Sequence, residues 1–275
     1  MMTVIPYPHI PPVIISIGPL ALRWYGVMYV IGYFVGYRLA LGRIRRGASA
    51  LTEKNLDDLL AYLVVGMLIG ARLIYVLVYD FAGYRSHPML VLAVWKGGLS
   101  FHGAILGMAV AVALFAHRHR LPFLAVADTI AVAGTIGLFF GRMGNFINGE
   151  LYGRPSNVPW AMIFPDDRLH VPRHPSQLYE AFAEGILLAL VLWLLDRLAH
   201  RKGWYWNGLL TSAFLIGYAL LRFLLEFTRQ PDAQLGLVVA SFSMGQLLST
   251  IMLLAGVALL IVSRRRTPVV RDGTS

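Results

Sequence analysis

The run Pro122-Phe-Leu-Ala-Val-Ala-Asp-Thr-Ile-Ala-Val-Ala-Gly-Thr-Ile-Gly-Leu-Phe-Phe-Gly-Arg142 decides the fold. Only Asp128 and Arg142 in it carry charge. A helix rises about 1.5 Å per residue and the hydrocarbon core of a bilayer is about 30 Å thick, so a run of this length matches one membrane crossing. A membrane β-barrel would instead show alternating segments of about 10 residues. Six further runs share the pattern, giving expected spans at 18–41, 57–79, 97–116, 122–142, 177–196, 206–227 and 238–262. The expected fold is an all-α polytopic membrane protein with seven transmembrane helices, forming a single membrane domain over 1–275.

Composition agrees. Of the 275 residues, 57% are hydrophobic and 14% charged, against roughly 25% charged in a soluble domain. Mean hydropathy is +0.65. Disorder and collagen are excluded. The chain has no cysteine, which removes disulfide scaffolds, Fe–S clusters, Cys-based zinc sites and a thiol nucleophile of its own. A net charge of +10 would suggest nucleic acid in a soluble protein. Here it fits basic loops beside anionic lipid, and no nucleic-acid partner is expected.

Arg43, Arg45, Arg46 and Lys54 follow span 1, Arg118 and Arg120 follow span 3, and Arg197, Arg201 and Lys202 follow span 5. Arg264, Arg265, Arg266 and Arg271 follow span 7. Opposite them stand only Arg85, Lys96, Arg154, Arg168, Arg173 and Arg229, over longer segments. The positive-inside rule then predicts an outer N-terminus and a cytoplasmic C-terminus. Residues 1–17 hold no Lys or Arg and so lack the basic region of a signal peptide. Residues 143–176 are too long and too varied for a simple loop. With Tyr152, Trp160 and Phe164 among turn residues, they predict a small ordered extracytoplasmic cap. Gly98, Gly103 and Gly107, and Gly134, Gly137 and Gly141, are expected to let helices approach closely.

Ionisable residues inside spans are functional candidates by default. Arg23, Arg38, Arg72, Arg142 and Arg222 lie in or at the ends of spans, with His102, Asp128, Glu184 and Glu226. Arg38 is expected to snorkel to headgroups, Asp128 to be a structural partner or helix-end residue, and Glu184 to line a polar interface. The direction of each span brings Arg23, Tyr25, His102, Arg142, Asn145, Arg222 and Glu226 to one level near the outer side. Tyr218, Arg222 and Glu226, at i, i+4 and i+8, share one helix face, where Glu226 can hold the guanidinium. The alternative is a buried pair that only locks packing. Gly141 to Arg154 adds Asn145, Asn148 and Glu150 among glycines. Arginine suits phosphate oxygens through its planar paired donors, so an anionic lipid headgroup is the expected ligand. No P-loop, serine-hydrolase elbow or metal cluster is legible, and no cofactor is expected. Residues alone stop at a polytopic protein with an outer anionic-lipid site, and an arginine-lined transporter or flippase stays open as the alternative.

The stretch Gly141-Arg142-Met143-Gly144-Asn145-Phe146-Ile147-Asn148-Gly149-Glu150-Leu151-Tyr152-Gly153 resembles the signature of the bacterial prolipoprotein diacylglyceryl transferases. Leu22-Arg23-Trp24-Tyr25-Gly26, Phe101-His102-Gly103, Arg173-His174-Pro175-Ser176-Gln177-Leu178-Tyr179-Glu180 and Arg222 to Phe227, leading to Arg229-Gln230-Pro231-Asp232, resemble the same family. The resemblance implies transfer of diacylglyceryl from phosphatidylglycerol to the lipobox cysteine of a preprolipoprotein signal peptide, releasing glycerol phosphate. It implies a bacterial inner-membrane enzyme whose site faces the extracytoplasmic side, among membrane lipids. It also implies roles. Arg142 and Arg222 stabilise the leaving phosphate, His102 is the candidate general base, and Glu226 is the alternative proton acceptor. Tyr25, Asn145, Asn148, Gly153, Arg154 and Tyr218 bind or position substrate, and Glu150 orients Arg142.

Overall fold

The computed structural model describes all residues except 1–4, 9, 19, 94–96, 231–236, 240–241 and 266–275. Lys96, Pro231, Asp232, Arg266 and Arg271 of the sequence reading lie outside the described residues. The chain is predominantly helical. Helices Trp24–Arg45, Glu53–Tyr79, Phe123–Ile147, Ser176–Arg201 and Met244–Arg265 are long and apolar enough to cross a membrane. His102–Arg118 and Leu209–Leu225 are shorter apolar helices. Phe34, Leu114 and Leu254 stand exposed on three of these helices, which requires an apolar solvent around them.

Three expected spans lose four or more residues at their N-terminal ends, and the second gains four. Gly18 and Leu20–Arg23 are not helical. Strands β1 (Val13–Ile17) and β2 (Leu20–Arg23) form an antiparallel hairpin, and helix α1 (Trp24–Arg45) starts only after it. Both faces of the hairpin are apolar, so it reads in sequence as part of the following run. Residues 97–100 are likewise non-helical. Strands β3 (Leu237–Val239) and β4 (Phe242–Ser243) take the start of the last expected span, whose helix begins at Met244. In the other direction, the helix expected over 122–142 runs on to Ile147.

The chain divides into two compact units, Leu41–Ala127 and Met1–Ala40 with Asp128–Ser275. The core of the first is a crossing of α2 (Glu53–Ile74, continuing as a π-helix over Tyr75–Tyr79) and α4 (Phe101–Arg118), with the short helix α3 (Phe81–Ser86) between them in sequence. Thr52 caps α2 by accepting from the Asn55 N–H at 3.1 Å. Gly66 and Gly70 on α2 meet Gly103 and Gly107 on α4 backbone to backbone. A Cβ added at Gly66 would lie 2.6 Å from the Gly107 carbonyl oxygen. Small residues permit such contact, and dispersion between the two backbones follows from it. Gly103 and Gly107 thus behave as expected, whereas Gly134, Gly137 and Gly141 have open space where a Cβ would go.

The second unit packs α5 (Phe123–Ile147), α6 (Ser176–Glu180) with its continuation through a π-helix (Ala181–Leu187) into α7 (Leu188–Arg201), α8 (Leu209–Leu225) and α9 (Met244–Arg265). Asp128 is fully buried and accepts four hydrogen bonds. Two come from the hydroxyls of Tyr205 and Thr211, both at 2.6 Å, and two from the N–H groups of Gly208 and Thr211, both at 2.8 Å. It caps the N-terminus of α8 from a different helix, where unpaired N–H groups and the helix dipole favour an anion. Asp128 is therefore a structural partner.

Residues 148–175 are irregular yet ordered. Isolated bridges join Pro155 and Met162 to Arg173, and Gly153 to Arg229. Tyr7, Phe146 and Phe164 form a buried aromatic cluster beneath them, and the Tyr7 hydroxyl donates to the carbonyls of Phe146 and Ile147. Arg173 pairs with Asp167 through two hydrogen bonds at 2.7 and 2.8 Å. This pairing holds the Asp167 carboxyl below the ordinary carboxylate range. Arg173 and Arg154, counted in sequence among loop charges, are thus internal fasteners.

Candidate functional site

The site grows from the packing of α5 against the π-helical turn. A π turn shifts the hydrogen-bond register by one residue and often marks a functional site. Here Gly185 lies against Phe139 of α5, where an added Cβ would sit 2.6 Å from the Phe139 Cβ. The close approach brings Arg142, one turn further along α5, to the carboxylates just before and within the π turn. Arg142 Nε lies 2.7 Å from Glu180 Oε2, and its Nη2 lies 3.9 Å from Glu184 Oε2.

Arg222 reaches the same carboxylates from α8. Its Nη1 is 3.3 Å from Glu180 Oε1 and 3.9 Å from Glu184 Oε1, and its Nη2 is 2.9 Å from Glu226 Oε2 one turn on. Arg229 Nη1 donates to Glu180 Oε1 at 3.3 Å. Glu180 is 1% exposed and Glu184 0%, so three guanidiniums and three carboxylates share a desolvated volume where electrostatics act at short range. Both Glu184 oxygens lack a hydrogen-bond donor among the described residues.

Glu226 is held from the other side. It accepts from the Ser243 hydroxyl at 2.9 Å, and Ser243 in turn accepts from the Gln246 N–H at 3.2 Å in the first turn of α9. Gly245 leaves the room, since a Cβ there would come within 2.7 Å of the Glu226 carboxyl carbon. The expected Arg222–Glu226 pair is present, with Ser243 as a support that sequence spacing gave no reason to name.

Asn145 is buried and donates to Glu150 Oε1 at 2.9 Å, with Asn148 donating to the same oxygen at 3.3 Å. Glu150 therefore orients the two amides. The expectation that it orients Arg142 is corrected, because Arg142 takes Glu180 and Glu184 as its ion-pair partners. The exposed Glu150 sits beyond the end of α5, whereas the Arg142 side chain joins the buried carboxylates of the neighbouring helix. Gly153 is buried where a Cβ would press on His174 and on the Thr228 carbonyl. Arg154 donates from its backbone N–H to the Thr228 carbonyl and from Nε to the Arg229 carbonyl, at 2.9 and 2.8 Å. These two residues tie the 148–175 segment to the turn after α8 that carries Arg229. Tyr25 stands against Gly144, where a Cβ would lie 2.7 Å from its ring, and its hydroxyl is 3.2 Å from that of Tyr29. Tyr218 stacks on Phe214 and interacts electrostatically with Glu184 and Arg222.

His102 belongs to the other compact unit and is exposed on the first turn of α4. Arg72 is withdrawn from the candidates, because its guanidinium is spent on backbone carbonyls. Arg23 closes the hairpin opposite Val13, and Arg38 is exposed. Glu180, Arg229 and Ser243 were not singled out in sequence as site residues. For Glu180 a signal exists, namely two carboxylates four apart at the start of an apolar run.

Residues 12–262 match the family described as prolipoprotein diacylglyceryl transferase. The chain is 48% identical over 265 residues to a Bordetella bronchiseptica protein named phosphatidylglycerol–prolipoprotein diacylglyceryl transferase, covering 94% of this chain and 97% of that one. It is 47% identical over 266 residues to the protein of that name from Azospirillum brasilense, covering 96% and 98%. It is 47% identical over 274 residues to the one from Methylocella silvestris, covering 98% and 99%. With a family match over nearly its whole length and a buried arginine–glutamate cluster at the matched signature, this chain belongs to the prolipoprotein diacylglyceryl transferase family.

Proposed function

We propose that this protein transfers the diacylglyceryl group of phosphatidylglycerol to the lipobox cysteine of a preprolipoprotein. The cysteine sulfur forms a bond to the glyceryl carbon while the bond from that carbon to the phosphate oxygen breaks. The electron pair leaves with glycerol phosphate, and the thiol proton goes to a base. The observation that carries the reading is the convergence of Arg142 and Arg222 on one buried carboxylate, Glu180, in a chain of this family. Two fixed guanidiniums suit the negative charge that grows on a leaving phosphate ester.

In this reading Arg142 and Arg222 hold the phosphate, and Glu180 and Glu226 hold the arginines. His102 takes the thiol proton, since imidazole titrates near neutral pH and a thiol of pKa about 8.5 needs help to ionise. Tyr25, Asn145, Asn148 and Tyr218 position the lipid, with Glu150 fixing the amides. Gly153 and Arg154 fix the segment that carries Arg229. Seven helices cross the membrane as one domain, with the N-terminus outside, the C-terminus in the cytoplasm and residues 143–176 as an extracytoplasmic cap. The excess of Lys and Arg on one set of loops supports that orientation. The enzyme then sits in the bacterial inner membrane with its site on the outer side. No observation favours the transporter reading over this one.

Purified protein with phosphatidylglycerol and a one-cysteine lipobox peptide tests the reaction by mass spectrometry. The expected result is a diacylglyceryl mass gain on the peptide with equimolar glycerol phosphate in the aqueous phase, lost when the peptide cysteine is serine. Folded protein that gives neither product would overturn the assignment.

A further inference from the structure

Arg72 ends α2 as a buried cation, and its guanidinium faces no carboxylate among the described residues. Its Nε donates to the Val91 carbonyl at 2.8 Å, and its Nη1 to those of Gly97 and Gly98 at 2.7 and 2.9 Å. Its Nη2 donates to the carbonyls of Leu90 and, at 3.4 Å, Ala93. A guanidinium has five N–H donors, and here each meets a backbone carbonyl. Those carbonyls belong to a short 3₁₀ helix (Pro88–Leu92) and the irregular chain around Ala93, Gly97 and Gly98, whose polar groups the guanidinium satisfies. The Tyr84 ring covers the cation, with Cζ 4.9 Å from its centroid.

The same turn of α2 fixes the beginning of α4. The Ser100 N–H donates to the Ala71 carbonyl at 3.0 Å, and the Ser100 hydroxyl accepts from the Gly103 N–H at 3.2 Å. Gly103 abuts Gly70 and Ile74, with no room for a Cβ. Gly98 adopts φ +75°, and a Cβ there would lie 2.8 Å from Arg72 Nη1. The first turn of α4 is therefore set by Arg72, Ala71 and Gly70, and His102 rides on it.

We propose that Arg72 is a positioning residue for His102, acting through the carbonyls of Gly97 and Gly98 to fix the first turn of α4. The proposal rests on the reading of His102 as the general base. Lysine cannot replace it, because three donors on a point charge cannot span five carbonyls in a plane.

The test is a double-mutant cycle on the purified full chain, using phosphatidylglycerol and the lipobox peptide. Arg72→Gln is expected to lower kcat about 10-fold with KM for phosphatidylglycerol within about twofold, and Arg72→Lys to give no rescue. In a His102→Asn background the same change should cost less than about twofold, because residues that act as a unit are non-additive. Gly98→Ala disturbs the latch from the other side and should reproduce the kcat loss and its non-additivity, so it carries the test if Arg72→Gln fails to fold. An equal loss from Gly98→Ala or Arg72→Gln with and without His102 overturns the proposal alone. Near-normal turnover by His102→Asn takes down the base reading and the proposal with it. Unchanged kcat in both latch variants overturns the proposal too.

Discussion

Arg142 Nε lies 2.7 Å from Glu180 Oε2, although the two residues belong to different helices and stand 38 positions apart in sequence. The other oxygen of Glu180 meets Arg222 and Arg229, each at 3.3 Å. One carboxylate thus sets the aim of three guanidiniums.

Glu180→Gln should therefore damage catalysis more than any single pairing suggests. An amide offers one acceptor and adds a donor facing cations. We expect kcat/KM to fall about 10²-fold, or about 2.7 kcal/mol of transition-state stabilisation, with Glu180→Asp intermediate. Steady-state kinetics on folded protein check it, and full activity in Glu180→Gln would refute the hub role.

Arg142 and Arg222 should each resist replacement by lysine. Both alanine variants are expected to insert and fold yet give no detectable product, and both lysine variants to stay below about 1% of normal turnover because paired planar donors are lost. Near-normal turnover by either purified alanine variant would end the phosphate-clamp role.

Asp128→Asn isolates structure from chemistry. Two backbone N–H groups donate to this carboxylate, and charged acceptors contribute about 1.5–3 kcal/mol per hydrogen bond. The expected outcome is a lower melting temperature in detergent with unchanged turnover per folded molecule. A selective loss of kcat at unchanged stability would contradict it.

Gly107→Val should force α2 and α4 apart, since a Cβ at Gly107 would overlap the Gly66 carbonyl. Backbone cannot rotate aside as a side chain does, so the cost belongs at the top of the range for overpacking, about 3 kcal/mol. Thermal melting measures it, and Gly134→Val, placed in open space, is the control that should melt normally.

Acid should loosen the 148–175 segment. Arg173 depresses the Asp167 carboxyl below its ordinary value of 3.8. A carboxyl lowered on folding stabilises fully above its unfolded value and loses that contribution as pH falls through its folded value. Hydrogen exchange of residues 153–175 should therefore accelerate below pH 3.8, and in Asp167→Asn it should already be fast at neutral pH. Protection in the variant equal to normal would refute the assignment.

Apolar length made the helices legible, because a bilayer demands about 20 residues of low polarity whatever their order. The 13–23 hairpin was not legible, since strands with two apolar faces merge with the run that follows. In the site, Arg222 and Glu226 were readable because they lie on one helix at i, i+4. The Arg142–Glu180 contact depends on where Gly185 lets α5 approach, and no spacing within either helix encodes that. Arg72 shows the converse error. An arginine in an apolar run reads as a site residue, yet only the fold reveals that its partners are carbonyls.

The Asp128 cap has a mechanical consequence. It pins α5 to the start of α8 through Thr211, while Glu180 joins Arg142 and Arg222 further along the same two helices. About 21 Å of α5 separates its two pinning points and about 16 Å of α8 separates the matching pair. Beams fastened near both ends cannot slide lengthwise, so the guanidiniums act as the jaws of a caliper with a set gap. On the proposed reading, the headgroup held between the jaws is gauged by its width, while the tails that trail away from them go unmeasured.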